Sequence, residues 1–258
     1  MTAIAHFLEQ TGGVSMGLAA LFIFLAAIVR GFSGFGFSLL AITSLSLLFA
    51  PARIIPAIFL LEVAASIRLL PTIWRDVHWR SVALLSAGTL IGTPAGVYLL
   101  ANLPAPPMQL ALAVFVMTAV VLLWWGFALK SMPGPLATVA IGAAAGLGNG
   151  AFGIGGPPVI LFYFASPAGA AAGRASLTAY FVIIDLIGLA FLARENLVTA
   201  ESGIFAAVFA LPLLTGVWLG ARSFKSADPV KFRKIVLILL GVLAVLIAWR
   251  AAAELWFS

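Results

Sequence analysis

Two acids, Glu62 and Asp185, lie inside long apolar runs, and a glycine-rich cluster precedes each of them. The clusters read Arg30-Gly31-Phe32-Ser33-Gly34-Phe35-Gly36-Phe37 and Asn149-Gly150-Ala151-Phe152-Gly153-Ile154-Gly155-Gly156-Pro157-Pro158. A carboxyl within a membrane span is costly when charged and rarely sits there without a task. Two tasks are open: taking up a proton whose movement is coupled to that of a solute, or forming a structural ion pair. Glu62 has Arg68 and Arg30 as candidate partners for such a pair, whereas Asp185 has no basic residue within its own span.

The clusters share their spacing, since Gly31, Gly34 and Gly36 fall on Gly150, Gly153 and Gly155. In hydrocarbon every backbone amide needs a partner, so irregular backbone survives only where protein buries it or it lines a wet cavity. Paired, glycine-interrupted segments at matching positions of two halves point to a transporter's binding site. Close helix packing on small residues is the other reading. A helix N-terminus presents bare N–H groups and partial positive charge, which suits an anion. Segments opening at Phe37 and Val159 would aim two such ends at one cavity.

The candidate anion ligands are then the backbone at Gly31, Gly34, Gly36, Phe37, Gly150, Gly153, Gly155 and Gly156, with side-chain donors at Ser33, Ser38 and Asn149. For the serines, a hydrogen bond back to the helix competes with substrate contact. Arg30 is the candidate fixed cation; its other reading is an interfacial anchor, as for Arg53 and Arg174. Phe32, Phe35, Phe37 and Phe152 could wall the cavity or pack in the core.

Composition decides the class. Of 258 residues 64% are hydrophobic and only 9% charged, with mean hydropathy +1.20, whereas a soluble globule carries about a quarter charged residues. The chain reads as an integral, all-α membrane protein, with apolar sequence for about eight to ten segments of roughly 20 residues. Uninterrupted apolar runs exclude a β-barrel. The net charge of +6 resides in short loops, where it sets topology and does not indicate nucleic acid. With no Cys and two isolated His, His6 and His78, thiol chemistry, a metal site and a cofactor are not expected. Neither is a signal peptide, for residues 1–13 lack a basic start and a cleavage site. A lipid-acting membrane enzyme finds no His cluster, paired-acid loop or Lys-bearing phosphate loop.

In order, the chain predicts one transmembrane domain made of two repeats, 14–130 and 135–255, each of about five hydrophobic segments that open with a broken or re-entrant helix pair. Gly88, Gly92 and Gly96 form a small-residue stripe, which Gly216 and Gly220 echo. Arg75 and Arg80 make their loop cytoplasmic, while the equivalent loop, with Arg194, Glu195 and Glu201, belongs outside; the next pair reverses, residues 102–107 being uncharged and 222–234 strongly basic. Corresponding loops fall on opposite sides, the mark of inverted repeats, with both termini outside.

Two such motifs opening two similar halves of a Cys-free chain resemble the TauE/SafE sulfite exporter family, also called the TSUP family. Gly150 to Pro158 carries the closer match, and the similarity covers roughly residues 14–250. The resemblance implies a multi-pass protein of the bacterial inner membrane that moves sulfite, sulfonates, sulfoacetate or a similar small anion. The expectation is a secondary transporter working by alternating access, with the anion, the lipid bilayer and protons as partners. Proton coupling and a homodimer remain open, and a passive anion channel is the alternative.

Overall fold

The computed structural model describes residues 13–67, 70–125, 132–165, 170–223 and 229–257, and all regular structure among them is helical. The first half contains α1 (Gly13–Ser33), α2 (Phe37–Leu45), α3 (Pro51–Ile67), α4 (Trp79–Asn102) and α5 (Ala105–Trp125). A helical turn at Leu70–Ile73 and a 3-10 turn at Trp74–Asp76 link α3 to α4. The second half contains α6 (Pro135–Phe152), α7 (Gly156–Ala165), α8 (Ala170–Arg194), α9 (Ala200–Ser223) and α10 (Pro229–Phe257). Seven helices among the described residues, α1, α4, α5, α6, α8, α9 and α10, are long and apolar enough to cross a bilayer. The chain is therefore a multi-pass membrane protein. Lys130, Arg68, Pro167 and Lys225 lie outside the described residues.

Only the second member of each opening pair is short. α2 has 9 residues and α7 has 10, which at 1.5 Å per residue is about half of a ~30 Å hydrocarbon core. α1 has 21 residues and α6 has 18, so the pair is a full-length helix followed by a short one, not two half-helices. The break also starts later than the first glycine of each cluster. Gly31 and Gly150 remain helical, while the turns occupy Gly34 to Gly36 and Gly153 to Gly155. The reason is conformational: Gly34, Gly36 and Gly153 adopt φ of 83°, 89° and 66°, values that side chains resist. The second short helix opens at Gly156, ahead of Val159, with Pro157 and Pro158 in a first turn whose N–H groups have no partner within the helix.

Gly31 and Gly150 serve packing instead. α1 lies against α9 and α4 against α6, the two most intimate helix pairs. A Cβ on Gly31 would collide with the Val217 carbonyl, and one on Gly220 with that of Ile28. Gly92 likewise meets the Ala143 carbonyl, and Gly150 would bring a Cβ 2.5 Å from that of Thr93. Such small-residue faces let backbones approach where lipid offers no hydrophobic drive for association.

Contacts at the helix ends tie loops from the two halves together. Arg53 at the start of α3 donates from Nε to Glu201 at 2.8 Å, and Arg250 reaches the Leu47 carbonyl. Beyond the opposite end of α3, the His78 amide donates to the Ser176 hydroxyl at 2.9 Å, and Ser81 and Tyr163 hydroxyls lie 2.7 Å apart. Gln109 on α5 donates to the Ser46 carbonyl at 2.9 Å, satisfying one acceptor where α2 ends inside the protein.

Candidate functional site

Both helix breaks open on one buried cavity of about 20 Å³, room for roughly one water molecule. The start of α2 contributes Gly36, Ser38 and Leu39, and the α6–α7 break contributes Asn149, Gly153, Ile154, Gly155, Gly156 and Pro157. α3 adds Glu62, and α8 adds Phe181 and Asp185. The two intramembrane acids therefore meet from facing helices, since α3 packs on α8.

Their surroundings differ. Glu62, 3% exposed, accepts hydrogen bonds from the Arg30 guanidinium and the Ser38 hydroxyl, and Arg30 also donates to Ser66. An arginine buried to 4% exposure is thus held in a closed network with an acid, as a charge in low dielectric requires. Asp185, 2% exposed, shares the cavity wall with Asn149 and interacts electrostatically with Arg30. Its Oδ2 has no hydrogen-bond partner among the described residues. Asn149 donates to the Ile184 carbonyl at 3.2 Å, which fixes its amide beside the acid. Arg30 is therefore paired with one of the two carboxyls and close enough to the other to act on it electrostatically.

Of the residues singled out by sequence, Gly36, Ser38, Asn149, Gly153, Gly155, Gly156, Glu62 and Asp185 line the cavity. Arg30 stands behind Glu62. Gly34 lies beneath Arg174, whose Nε would be 2.9 Å from a Cβ there. Ser33 donates to the Val29 and Phe35 carbonyls, each at 2.7 Å, so its hydroxyl closes the turn. Phe37 is wholly buried in the core, and Phe152 stacks near Phe115 with ring centroids 5.0 Å apart. Phe181 lines the cavity instead; it precedes Asp185 by one helical turn, a spacing that could have found it. Ser66 follows Glu62 by the same interval. Arg53 is exposed and engaged with Glu201.

Among the described residues no group of three or more His, Asp or Glu could hold a metal ion. The two helix starts are unequal as donors. Leu40 N–H is used within α2, bonding Gly36 O at 3.1 Å, while prolines at 157 and 158 leave α7 fewer first-turn amides to offer.

A family profile described as Sulfite exporter TauE/SafE matches residues 19–247. The chain is also 27% identical over 223 residues to a Cupriavidus necator protein described as a probable sulfite/organosulfonate exporter TauE, an alignment covering 83% of this chain and 85% of that one. No solved structure matches significantly.

Proposed function

Since the chain belongs to the sulfite exporter TauE/SafE family, a family of membrane transporters and not of enzymes, we propose that it is a secondary transporter for a small oxyanion of the sulfite or sulfonate type in the bacterial inner membrane. The observation that carries this reading is the meeting of two broken helices at one buried cavity into which Ser38, Glu62, Asn149 and Asp185 bring polar side chains. In the proposed site, first-turn amides of α2 and α7 bind the anion's oxygens with help from Ser38 and Asn149, and Phe181 covers the apolar part of an organosulfonate. Helix N-termini favour negative charge, and these lie in low dielectric.

The size of the cavity supports a conformational change such as alternating access. A sulfite ion has four heavy atoms, and a cavity for about one water must open to admit it. Helices α1–α5 and α6–α10 are proposed to be inverted repeats that rock against each other. Reciprocal packing supports this, because exchanging the halves turns the α1–α9 pair into α6–α4 and returns α3–α8 and α5–α10 to themselves. The acids sit on α3–α8, at the proposed axis.

Charge then suggests proton coupling. Arg30 and Glu62 cancel, which leaves Asp185 as a negative charge beside any entering anion, with Asn149 as a neutral donor on the same wall. An anion therefore binds best when Asp185 carries a proton, and a monoanion moving with that proton is electroneutral.

The test is uptake of radiolabelled sulfite and a short alkylsulfonate into proteoliposomes. Saturable flux that is lost in Asn149→Leu is expected. Saturable flux that Asn149→Leu and Ser38→Ala both leave unchanged would remove this cavity from the pathway. Flux rising linearly with concentration would favour a channel.

A further inference from the structure

Between α5 and α10 lies an open groove of about 380 Å³ lined by Met117, Val120 and Trp124 on one side and by Leu237, Gly241 and Val245 on the other. Its walls are almost wholly apolar. Among the described residues nothing stands within 4 Å of where a Cβ on Gly241 would be, so none of the helices α1–α10 fills the space. Much of its wall is open to the surroundings, with Val242 and Val245 52% and 56% exposed. A groove this apolar on a spanning helix pair faces acyl chains, not water.

The end of the groove carries the second part of a lipid. Lys234 is exposed and precedes Leu237 and Ile238 by three and four residues, so it continues the groove-facing stripe of α10 by one turn toward the membrane surface. Trp124 stands at the matching end of α5, 51% exposed, and Trp125 beside it is 76% exposed. Lysine and tryptophan at the end of a span are the residues that reach headgroup level. Lys234 belongs to the basic stretch 222–234, and basic sites between helices at this level hold anionic headgroups. We propose that the groove is a binding site for one anionic phospholipid, with an acyl chain along Gly241 and the phosphate on Lys234. A zwitterionic lipid fits the walls equally well, but its own headgroup cation already balances its phosphate, so the Lys234 ammonium favours the lipid with net negative charge.

Native mass spectrometry of the detergent-purified protein with added phosphatidylglycerol or phosphatidylcholine reads this directly. Wild type is expected to retain one phosphatidylglycerol at detergent levels that strip phosphatidylcholine. Gly241→Leu, whose Cβ meets no described atom within 4 Å and whose side chain extends into the groove, should lose that adduct. Gly17→Leu, an equally open glycine on α1, should keep it. Lys234→Gln should reduce the preference for phosphatidylglycerol to near equality. Adducts that survive Gly241→Leu unchanged, or a preference unaltered by Lys234→Gln, would overturn the assignment. A second copy of the chain in the groove would overturn it too. Because the chain has no cysteine, Val242→Cys reports that directly as a disulfide-linked dimer in membranes.

Discussion

Glu62 and Asp185 line the same cavity from helices that pack face to face, yet only Glu62 holds the Arg30 guanidinium. One acid has become part of a fixed ion pair and the other keeps a buried carboxyl oxygen without a hydrogen-bond partner among the described residues. This asymmetry between residues at matching places in the two halves separates structure from chemistry.

The ion pair should behave as a unit. Removing one charge leaves the other buried and uncompensated, a change that costs about 3–5 kcal/mol. Arg30→Gln and Glu62→Gln are each expected to lower the unfolding midpoint of the detergent-solubilised protein markedly. The joint change Arg30→Met with Glu62→Leu should recover much of that loss, since it removes both charges at similar volume. A double variant no more stable than the sum of the singles would mean that the two residues are not coupled.

Asp185→Asn fixes the side chain in a neutral state while keeping its size. Wild-type flux of a monovalent anion should respond to an imposed pH gradient, increasing when the anion's starting side is the more acidic, and should ignore membrane potential. In the variant the anion needs no proton, so the response to pH is lost and the flux becomes sensitive to potential. Valinomycin-clamped proteoliposomes measure both. Wild-type flux that follows potential and ignores the pH gradient would refute proton coupling.

Glycines differ sharply in what they tolerate. A side chain at Gly92 runs into the Ala143 carbonyl, and overpacking against backbone falls at or above the usual cost of about 1–3 kcal/mol. Gly92→Val should therefore separate α4 from α6 and reduce the yield of folded protein. Gly17 has nothing within 4 Å, and Gly17→Ala should instead stabilise by up to about 1 kcal/mol through helix propensity. Thermal unfolding by intrinsic tryptophan fluorescence distinguishes the two, and equal effects would contradict the packing described.

Much of this was legible in the sequence, and the part that was not has a physical origin. Apolar runs of about 20 residues fold as helices whatever surrounds them, so helical segments were readable, but α2, α3 and α7 are shorter and seven described helices are long enough to span, fewer than the eight to ten segments that composition predicts. Glu62, Asp185 and Asn149 stood out because polar groups are conspicuous in hydrocarbon. A glycine, however, does not say which of its uses is in force. Gly31 and Gly36 look alike in sequence, but Gly31 is helical against the backbone of Val217 while Gly36 turns the chain at φ 89°. Choosing between them needs the neighbouring helix, which local spacing does not encode. The same holds for Arg30, whose ion pair with Glu62 exists because α3 arrives beside it.

Orientation in the bilayer offers the last test. The positive-inside rule counts Lys and Arg and gives little weight to acids, so Arg53 and Arg250 weigh against an outward assignment of their ends even though each has an acidic partner, Glu201 and Glu254. Their contacts nevertheless hold the assignment together in space. Arg53 ties residue 53 to residue 201, and Arg250 ties the end of α10 to the Leu47 carbonyl, so these loops lie on one face. His78 and Ser176 meet near the opposite end of α3 with Arg75 and Arg80 close in sequence, and that end is expected in the cytoplasm. Single cysteines introduced into this cysteine-free chain read the result. Glu195→Cys should react with a membrane-impermeant maleimide added to intact cells, and Arg80→Cys only after the cells are opened. Labelling of both from outside would defeat the inverted arrangement of the halves, because that arrangement places a loop and its counterpart on opposite sides; labelling of Arg80→Cys alone would reverse the expected orientation.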